Sequence, residues 1–433
     1  MAKAKSPVSF KNRLETTFKT MPSETLRVGF SDIDKWVGMG NFAMNRMNSG
    51  RFDVAWMYGR NYILYGESGS GKSLMAALIA AEAQRKDGAL VVWVDVEKAT
   101  DDEAGKRWLA RTGMDMDNLV YVSAAGLEEI KRLIAELAGE LRDNFRVEGG
   151  DPVQPVVLVI DSWAAALPKT ALERVKSGEL VGDQGQKAKQ TGDVILSTTH
   201  LSSGVPLLVI GIQHIMDNQE GFGRKHKTTG GNKMLYFASG CMLYTKQELR
   251  MEDVENPEHL AELKKVTENW SANLKKEIGI KHKDGEVVGI TIVVENLKNR
   301  VSKPFTKIEV QVPYKFGVDP YGGLFELLMM EQAIFLVSAG RYGYTDPDVE
   351  ADKDGKRVVT FYKKEFLKHA DRIMQLQPAD ISNPDDMRKA AEPVVLPENV
   401  EALVETVKEA ANDVVKRARA KKAKLAAEGE AQA

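Results

Sequence analysis

The chain of 433 residues contains one cysteine, Cys241, so an intramolecular disulfide is excluded and a reducing compartment is the better fit. Long apolar runs are missing too. No segment reaches the roughly eighteen consecutive apolar residues of a membrane span, and the opening MAKAKSPVSFKNRLETTF has no apolar core of a secretory signal. Nor is there an excess of charge of one sign. Sixty basic residues against 62 acidic ones leave a net charge of -2, so any nucleic-acid binding must come from local clusters rather than a basic surface as a whole. The chain is expected to be cytoplasmic, with no membrane partner. What remains, 43% hydrophobic and 28% charged, is ordinary globular material, long enough for about two or three domains. No internal repeat is visible.

Residues 1 to about 45 are basic, then mixed, and too few to fold alone; KNRLETTFK within them suits a short amphipathic helix. From Asn61 the pattern turns to strand, loop and helix: NYILY, GESGSGKS, LMAALIAAEAQRK. Further strands are predicted at LVVWVD, NLVYV, PVVLVID and PLLVIGI, alternating with the helical patterns DEAGKRWLART and LEEIKRLIAELAGELRDNF. Apolar strands alternating with amphipathic helices imply an α/β core, a mostly parallel sheet covered on both faces. After Tyr244 a charged, helix-prone segment suggests an inserted helical pair at about 248–283, before VVGITIVVE resumes strand character. The expected divisions are 1–45, a core over 46–325, and a C-terminal domain over 326–433 that ends in a basic helical tail, KRARAKK.

GESGSGKS satisfies G-x-x-x-x-G-K-[ST], with Gly66, Gly71, Lys72 and Ser73 at the fixed positions and Glu67, Ser68, Gly69 and Ser70 between them. The glycines let backbone N–H groups wrap phosphate oxygens, Lys72 reaches the β- and γ-phosphates, and the Ser73 hydroxyl suits Mg²⁺, all at a helix N-terminus that favours anions. The required strand precedes the loop and the required helix follows it. ATP and Mg²⁺ are therefore the expected cofactors.

VVLVID places Asp161 at the end of a buried strand, where a carboxylate can hold the metal through its water shell. LVVWVDVE ends similarly at Asp95 and Glu97. A glutamate at the top of the strand neighbouring the phosphate loop is placed to orient and deprotonate an attacking water; the alternative is a solvated strand-end carboxylate.

PLLVIGI then empties into QHIMDNQEGFGRKHKTTGGNKMLYFASG, a stretch that is Gly-rich, basic and nearly free of apolar residues. A simple connection needs about two to six residues. This one spends far more, which marks it as a ligand-binding loop or a solvated one.

Several stretches resemble the RecA family of recombinases: VIDSWAAALPK, TTGGNKMLYFAS and DPYGGLFELLM. VDPYGGL with ENLKNRVSKPF is most similar to the phage-encoded UvsX-type branch. The resemblance runs from about Arg51 to Glu331, apart from the 248–283 insertion. It implies a parallel sheet carrying one ATP site, and an N-terminal segment used in filament assembly. It also implies two DNA-binding loops. Residue by residue, Lys72 and Ser73 match the phosphate loop, Asp161 the second motif, Glu97 the water-activating glutamate, and Gln213 the glutamine that senses the γ-phosphate at the start of the second DNA loop. In that loop Arg224, Lys225 and Lys227 would neutralise phosphates, and Phe222 would wedge between bases or stack on one. Thr228, Thr229, Gly230 and Gly231 complete the set. The first DNA loop falls between Pro168 and Thr191, with Lys187 and Lys189 as its candidates. Lys298 and Arg300 match basic residues that reach the γ-phosphate held by the next subunit.

The implied activity is DNA-dependent ATP hydrolysis driving strand exchange. The implied partners are single-stranded DNA, homologous double-stranded DNA and further copies of the chain in a helical filament, together with a single-stranded-DNA-binding protein and a loading mediator. Where bacterial members carry an aromatic residue to stack on adenine, EKATDDEAGKRW offers Asp101, Asp102 and Ala104 before Trp108; Asp101 is kept as a nucleotide-contact candidate. Two alternatives stand beside this reading: a ring helicase on the same fold, and a filament mediator that uses the nucleotide only as a switch.

Overall fold

The computed structural model describes residue 20 and residues 33–124, 126–145, 154–178, 186–217, 226–228, 233–268, 287–353 and 355–377. The chain divides into two units, Met1–Pro378 and Ala379–Ala433, and every described residue belongs to the first. The KNRLETTFK segment and the basic tail lie outside the described residues.

Fourteen described strands run in chain order as β1 (Trp36–Val37), β2 (Trp56–Met57), β3 (Arg60–Gly66), β4 (Leu90–Asp95), β5 (Leu119–Ser123), β6 (Val156–Asp161), β7 (Leu207–Asp217), β8 (His226–Thr228), β9 (Gly240–Arg250), β10 (Val287–Lys298), β11 (Lys307–Pro313), β12 (Phe335–Ser338), β13 (Arg341–Thr345) and β14 (Val358–Tyr362). The described α-helices are α1 (Phe42–Ser49), α2 (Lys72–Asp87), α3 (Glu103–Arg111), α4 (Leu127–Phe145), α5 (Lys169–Ser177), α6 (Gln186–Ser202), α7 (Lys233–Phe237), α8 (Pro257–Glu268), α9 (Leu324–Met330) and α10 (Phe366–Gln375).

The main sheet has nine strands in the order β11-β10-β9-β3-β7-β6-β4-β5, with β8 paired to β7. From β9 to β5 neighbouring strands are parallel, while β10 and β11 add antiparallel at one edge. Alternation along the strands supplies both faces. Tyr62 and Leu64 of β3, Val91 and Trp93 of β4, and Val157 and Val159 of β6 enter one apolar cluster with α2. Ile63 and Tyr65, Val92 and Val94, and Leu158 and Ile160 enter the other, with α4. A strand buried on both faces reads as a continuous apolar run, which is why these strands are legible in the sequence. Among the described residues no helix is long and apolar enough to cross a membrane.

Two elements differ from expectation. The segment after Tyr244 remains strand through Arg250, pairing with β10 from Tyr244↔Val294 to Arg250↔Val287. Its charged side chains conceal an edge pattern in which Leu249 is buried while Lys246 to Glu248 are exposed, so cross-strand pairing overrides the helical composition. Of the expected helical pair, α8 is described and 269–286 lie outside the described residues. The second difference is that α9, the β12-β13-β14 sheet and α10 share the core of the main sheet. Phe361, Phe366 and Ile373 belong to the same apolar cluster as Leu64 and Trp93.

Candidate nucleotide and DNA site

In parallel sheets of this kind ligands bind outside the carboxyl ends of the strands, where the strand order switches. Here β3 sits between β7 and β9, the chain having left it for β4 on one side and returned to β9 on the other. The turn after β3 runs from Glu67 to Gly71, and α2 starts at Lys72. Gly71 adopts φ 85°, and a Cβ there would lie 2.7 Å from the Ile292 side chain. At Gly66 a Cβ would lie 2.4 Å from the Tyr244 carbonyl oxygen, so β9 can lie against the loop only because Gly66 carries no side chain. No side chain caps the start of α2, which leaves its first N–H groups to an anion.

Two ammonium groups brace the turn. Lys72 Nζ donates to the Glu67 carbonyl at 2.5 Å, and Lys246 Nζ, from β9, donates to the Ser68 carbonyl at 2.8 Å. Lys72 is only 4% exposed. Burial pulls its pKa down to about 8 against the attraction of Asp161 and Glu97. A phosphate would reverse that penalty.

Asp161 ends β6, buried, and burial pushes its carboxyl up to about 6 although the Ser73 hydroxyl donates to it. A hydroxyl beside a carboxylate that is costly to ionise is a hard-oxygen donor set suited to Mg²⁺. Lys72, Ser73 and Asp161 are therefore brought together in the structure.

Glu97 reaches the site by another route. Its strand, β4, is not the neighbour of β3, since β6 and β7 lie between; the parallel crossover carries the chain past them. The loop after β4 folds back over β6, where the Val96 and Glu97 N–H groups both meet the Asp161 carbonyl oxygen, at 2.7 and 3.2 Å. Asp95 fixes the other end of this loop. Buried, it accepts from Thr100 N at 2.8 Å, Thr100 Oγ1 at 2.9 Å and the Tyr121 hydroxyl at 2.6 Å. Burial opposes its ionisation, but the Tyr121 and Thr100 bonds outweigh it and hold the carboxyl below the ordinary range. The sequence marks Asp95 only as a strand-end carboxylate; its partners are non-local.

The Glu97 carboxylate meets His214 Nε2 at 2.7 Å and accepts from the Ser162 hydroxyl on the same oxygen, Oε1. The His214 bond is the chief cause that holds Glu97 below the usual carboxylate range, working against burial, with Ser162 and Lys72 adding to it. Ser162 stands inside VIDSWAAALPK but is given no role by it, and His214 belongs to no motif. Gln213, fully buried, sits opposite Tyr65, and His214 opposite Gly66. The glutamine thus stands on the strand beside β3, one residue before the phosphate loop begins.

The loop expected to open at Gln213 is strand for four more residues. Ile215, Met216 and Asp217 pair with Thr228, Lys227 and His226, so β7 and β8 form a hairpin. Lys227 and Thr228 lie on β8, whereas Phe222, Arg224, Lys225, Thr229, Gly230 and Gly231 lie outside the described residues. In the expected first DNA loop, Lys189 is exposed. The Lys187 ammonium instead donates to the Ala164 carbonyl, and burial lowers its pKa.

Lys298 and Arg300 are remote from the phosphate loop of their own chain. Gly66 is level with Tyr244, and Tyr244 with Val294, whereas Lys298 lies four residues further along β10, a separation of about 13 Å along the strand alone. Lys298 Nζ donates to the Leu235 and Tyr236 carbonyls at 2.8 and 2.6 Å, and Arg300 is exposed. In the segment after Glu97, Asp101 is exposed and Asp102 caps α3 by accepting from Gly105 N at 2.8 Å. Trp108 packs edge-on against buried Trp93, ring centres 6.4 Å apart, so the first ring after Glu97 belongs to the core.

A doubly wound sheet, a phosphate loop at the switch point, and carboxylates over the ends of β6 and β4 define a P-loop nucleotide-binding protein. The profile of the RecA N-terminal domain family matches residues 40–281, and the chain belongs to that family. It is 25% identical over 352 residues to Protein RecA of Aquifex aeolicus (strain VF5), covering 81% of this chain and 82% of that protein. With Protein RecA of Clostridium beijerinckii it shares 25% over 384 residues, 88% and 86% of the two chains. With Protein RecA of Gluconacetobacter polyoxogenes it shares 30% over 275 residues, 62% and 63%.

Proposed function

We propose that the protein is an ATP-driven recombinase that assembles as a helical filament on single-stranded DNA and pairs it with homologous duplex. The observation that carries this reading is β7. One strand carries Gln213 and His214 beside the phosphate loop and continues directly into the hairpin whose second strand contains Lys227 and Thr228. Nucleotide and DNA therefore act on the two ends of one rigid element. Glu97 serves as the general base, taking a proton from the water that attacks the γ-phosphate, while Lys72 and the N–H groups at the start of α2 balance the charge that develops. Mg²⁺, held by Ser73 and, through water, by Asp161, would supply further positive charge at the phosphate oxygens.

Arg300 acts on the nucleotide of the next subunit. Its distance from its own phosphate loop supports this, and makes hydrolysis conditional on assembly. Lys298, bound to the end of α7, serves as the anchor of that edge. The first DNA loop contributes through Lys189 rather than Lys187, whose ammonium is engaged within the core. The motifs VDPYGGL and ENLKNRVSKPF favour the phage-encoded branch of the family; a single-stranded-DNA-binding protein and a loading mediator are its expected accessories.

Strand exchange tests the reading. With ATP and Mg²⁺, the protein should transfer a labelled strand from a duplex to a homologous single strand. Failure of transfer, or equal displacement from a non-homologous forked duplex, would favour a helicase instead.

A further inference from the structure

His214 is the only described side chain of β7 shown bonding to the carboxylate that the mechanism uses as base. It stands level with Gly66, and its Nε2 lies 2.7 Å from Glu97 Oε1 across the top of β6. Ser162 Oγ meets the same oxygen. Two partners on one oxygen occupy Oε1 and fix the direction of the carboxylate, which keeps that oxygen from facing an attacking water. From the residue after His214 the strand is already the hairpin: Ile215, Met216 and Asp217 are paired one for one with Thr228, Lys227 and His226. A strand is stiff along its length, and a shift of about 1 Å at its end takes a 2.7 Å contact out of hydrogen-bond range.

We propose that His214 is a positioning residue that restrains Glu97 while no DNA is bound, and that DNA on the β7–β8 hairpin draws His214 away and frees Oε1 to face the attacking water. The inference rests on Glu97 being the base and the hairpin being a DNA contact. It differs from γ-phosphate sensing by Gln213, because here the signal passes from DNA to the base without passing through the nucleotide. Lys72 and Asp161, which also act electrostatically on Glu97, belong to α2 and β6 and do not move with the hairpin.

The test uses the full chain, with initial rates of ATP hydrolysis measured without DNA and with saturating oligo(dT). His214→Ala should raise the DNA-free rate by about fivefold or more, the size of effect expected on losing a hydrogen bond to a charged group, and leave the DNA-saturated rate within about twofold of wild type. His214→Gln keeps a donor at nearly the same reach and should hold the DNA-free rate low. Ser162→Ala should raise it by a smaller factor, which serves if His214→Ala does not fold. A DNA-free rate of His214→Ala at or below wild type, or both rates falling together, overturns the proposal and makes His214 a simple prop. If wild type itself is not stimulated by DNA, the function reading falls and the restraint falls with it. If wild type is stimulated and the variants show the same ratio, the restraint alone falls.

Discussion

The Lys298 ammonium lies 2.6 Å from the carbonyl oxygen of Tyr236, joining the far end of β10 to the helix that follows the proposed second DNA loop. With Arg300 exposed two residues on, the edge that would meet the next subunit's nucleotide is fastened to the segment that would meet DNA. Neither residue reaches the phosphate loop of its own chain.

That separation predicts complementation. Arg300→Ala keeps an intact phosphate loop and Lys72→Ala an intact cation donor, so each should lose DNA-dependent hydrolysis for a different reason. Mixed in equal amounts, roughly a quarter of the head-to-tail interfaces would pair a good loop with a good donor, and activity should return to about that fraction of wild type. A silent mixture in which both variants are shown on the same DNA would place Arg300 outside the reaction.

Glu97→Gln would remove the proposed base and keep the shape. Hydrolysis should fall by about a hundredfold or more, while binding of a fluorescent ATP analogue and of single-stranded DNA is retained. Filaments should outlive those of wild type when competitor DNA is added. Release as fast as wild type would assign the base elsewhere.

Asp161 is held above its ordinary pKa, at about 6, by burial. A carboxyl with a folded pKa above its unfolded one binds its proton more tightly in the folded state, so its contribution to stability falls as pH rises between about 4 and 6. Above that range the ionised group costs the ligand-free protein about 1–3 kcal/mol. Asp161→Asn should therefore raise the melting temperature of the ligand-free protein at pH 7.5 and abolish hydrolysis, with the gain shrinking towards pH 5. A melting temperature unchanged or lower at pH 7.5 would show that Asp161 is not strained by burial.

Replacing Arg224, Lys225 and Lys227 together by Ala should weaken single-stranded DNA binding and reduce the slope of log K against log salt by about two, because fewer counterions are released. Nucleotide binding without DNA should survive. An unaltered slope would return the hairpin and its loop to the role of a solvated surface.

Much of this site is legible in the sequence because its chemistry is local. GESGSGKS needs only its own backbone to form an anion cradle, and the strands that carry Asp95, Asp161 and Gln213 announce themselves by the apolar runs before those residues. What is not legible depends on contacts between distant segments. Glu97 is visible as a strand-end carboxylate, but its place over β6 depends on the Asp161 carbonyl oxygen and on Asp95 held by Tyr121. His214 carries no motif and acquires meaning only when β7 lies between β3 and β6. TKQELR reads as helix because its charges suit one, and becomes strand because β10 pairs with it. Residues 33–57 are too short in each element to show a period, yet Val37, Met39, Met44 and Trp56 are buried in the core. There Asn41 caps α1 through the Met44 N–H at 2.8 Å and donates to the Asp319 carbonyl at 2.8 Å.

The most direct measurement is steady-state ATP hydrolysis by the full chain with and without single-stranded DNA, with electron micrographs of the same samples. The account predicts hydrolysis stimulated by single-stranded DNA and open helical filaments that form on it with ATP. Closed rings, or hydrolysis indifferent to DNA, would contradict it.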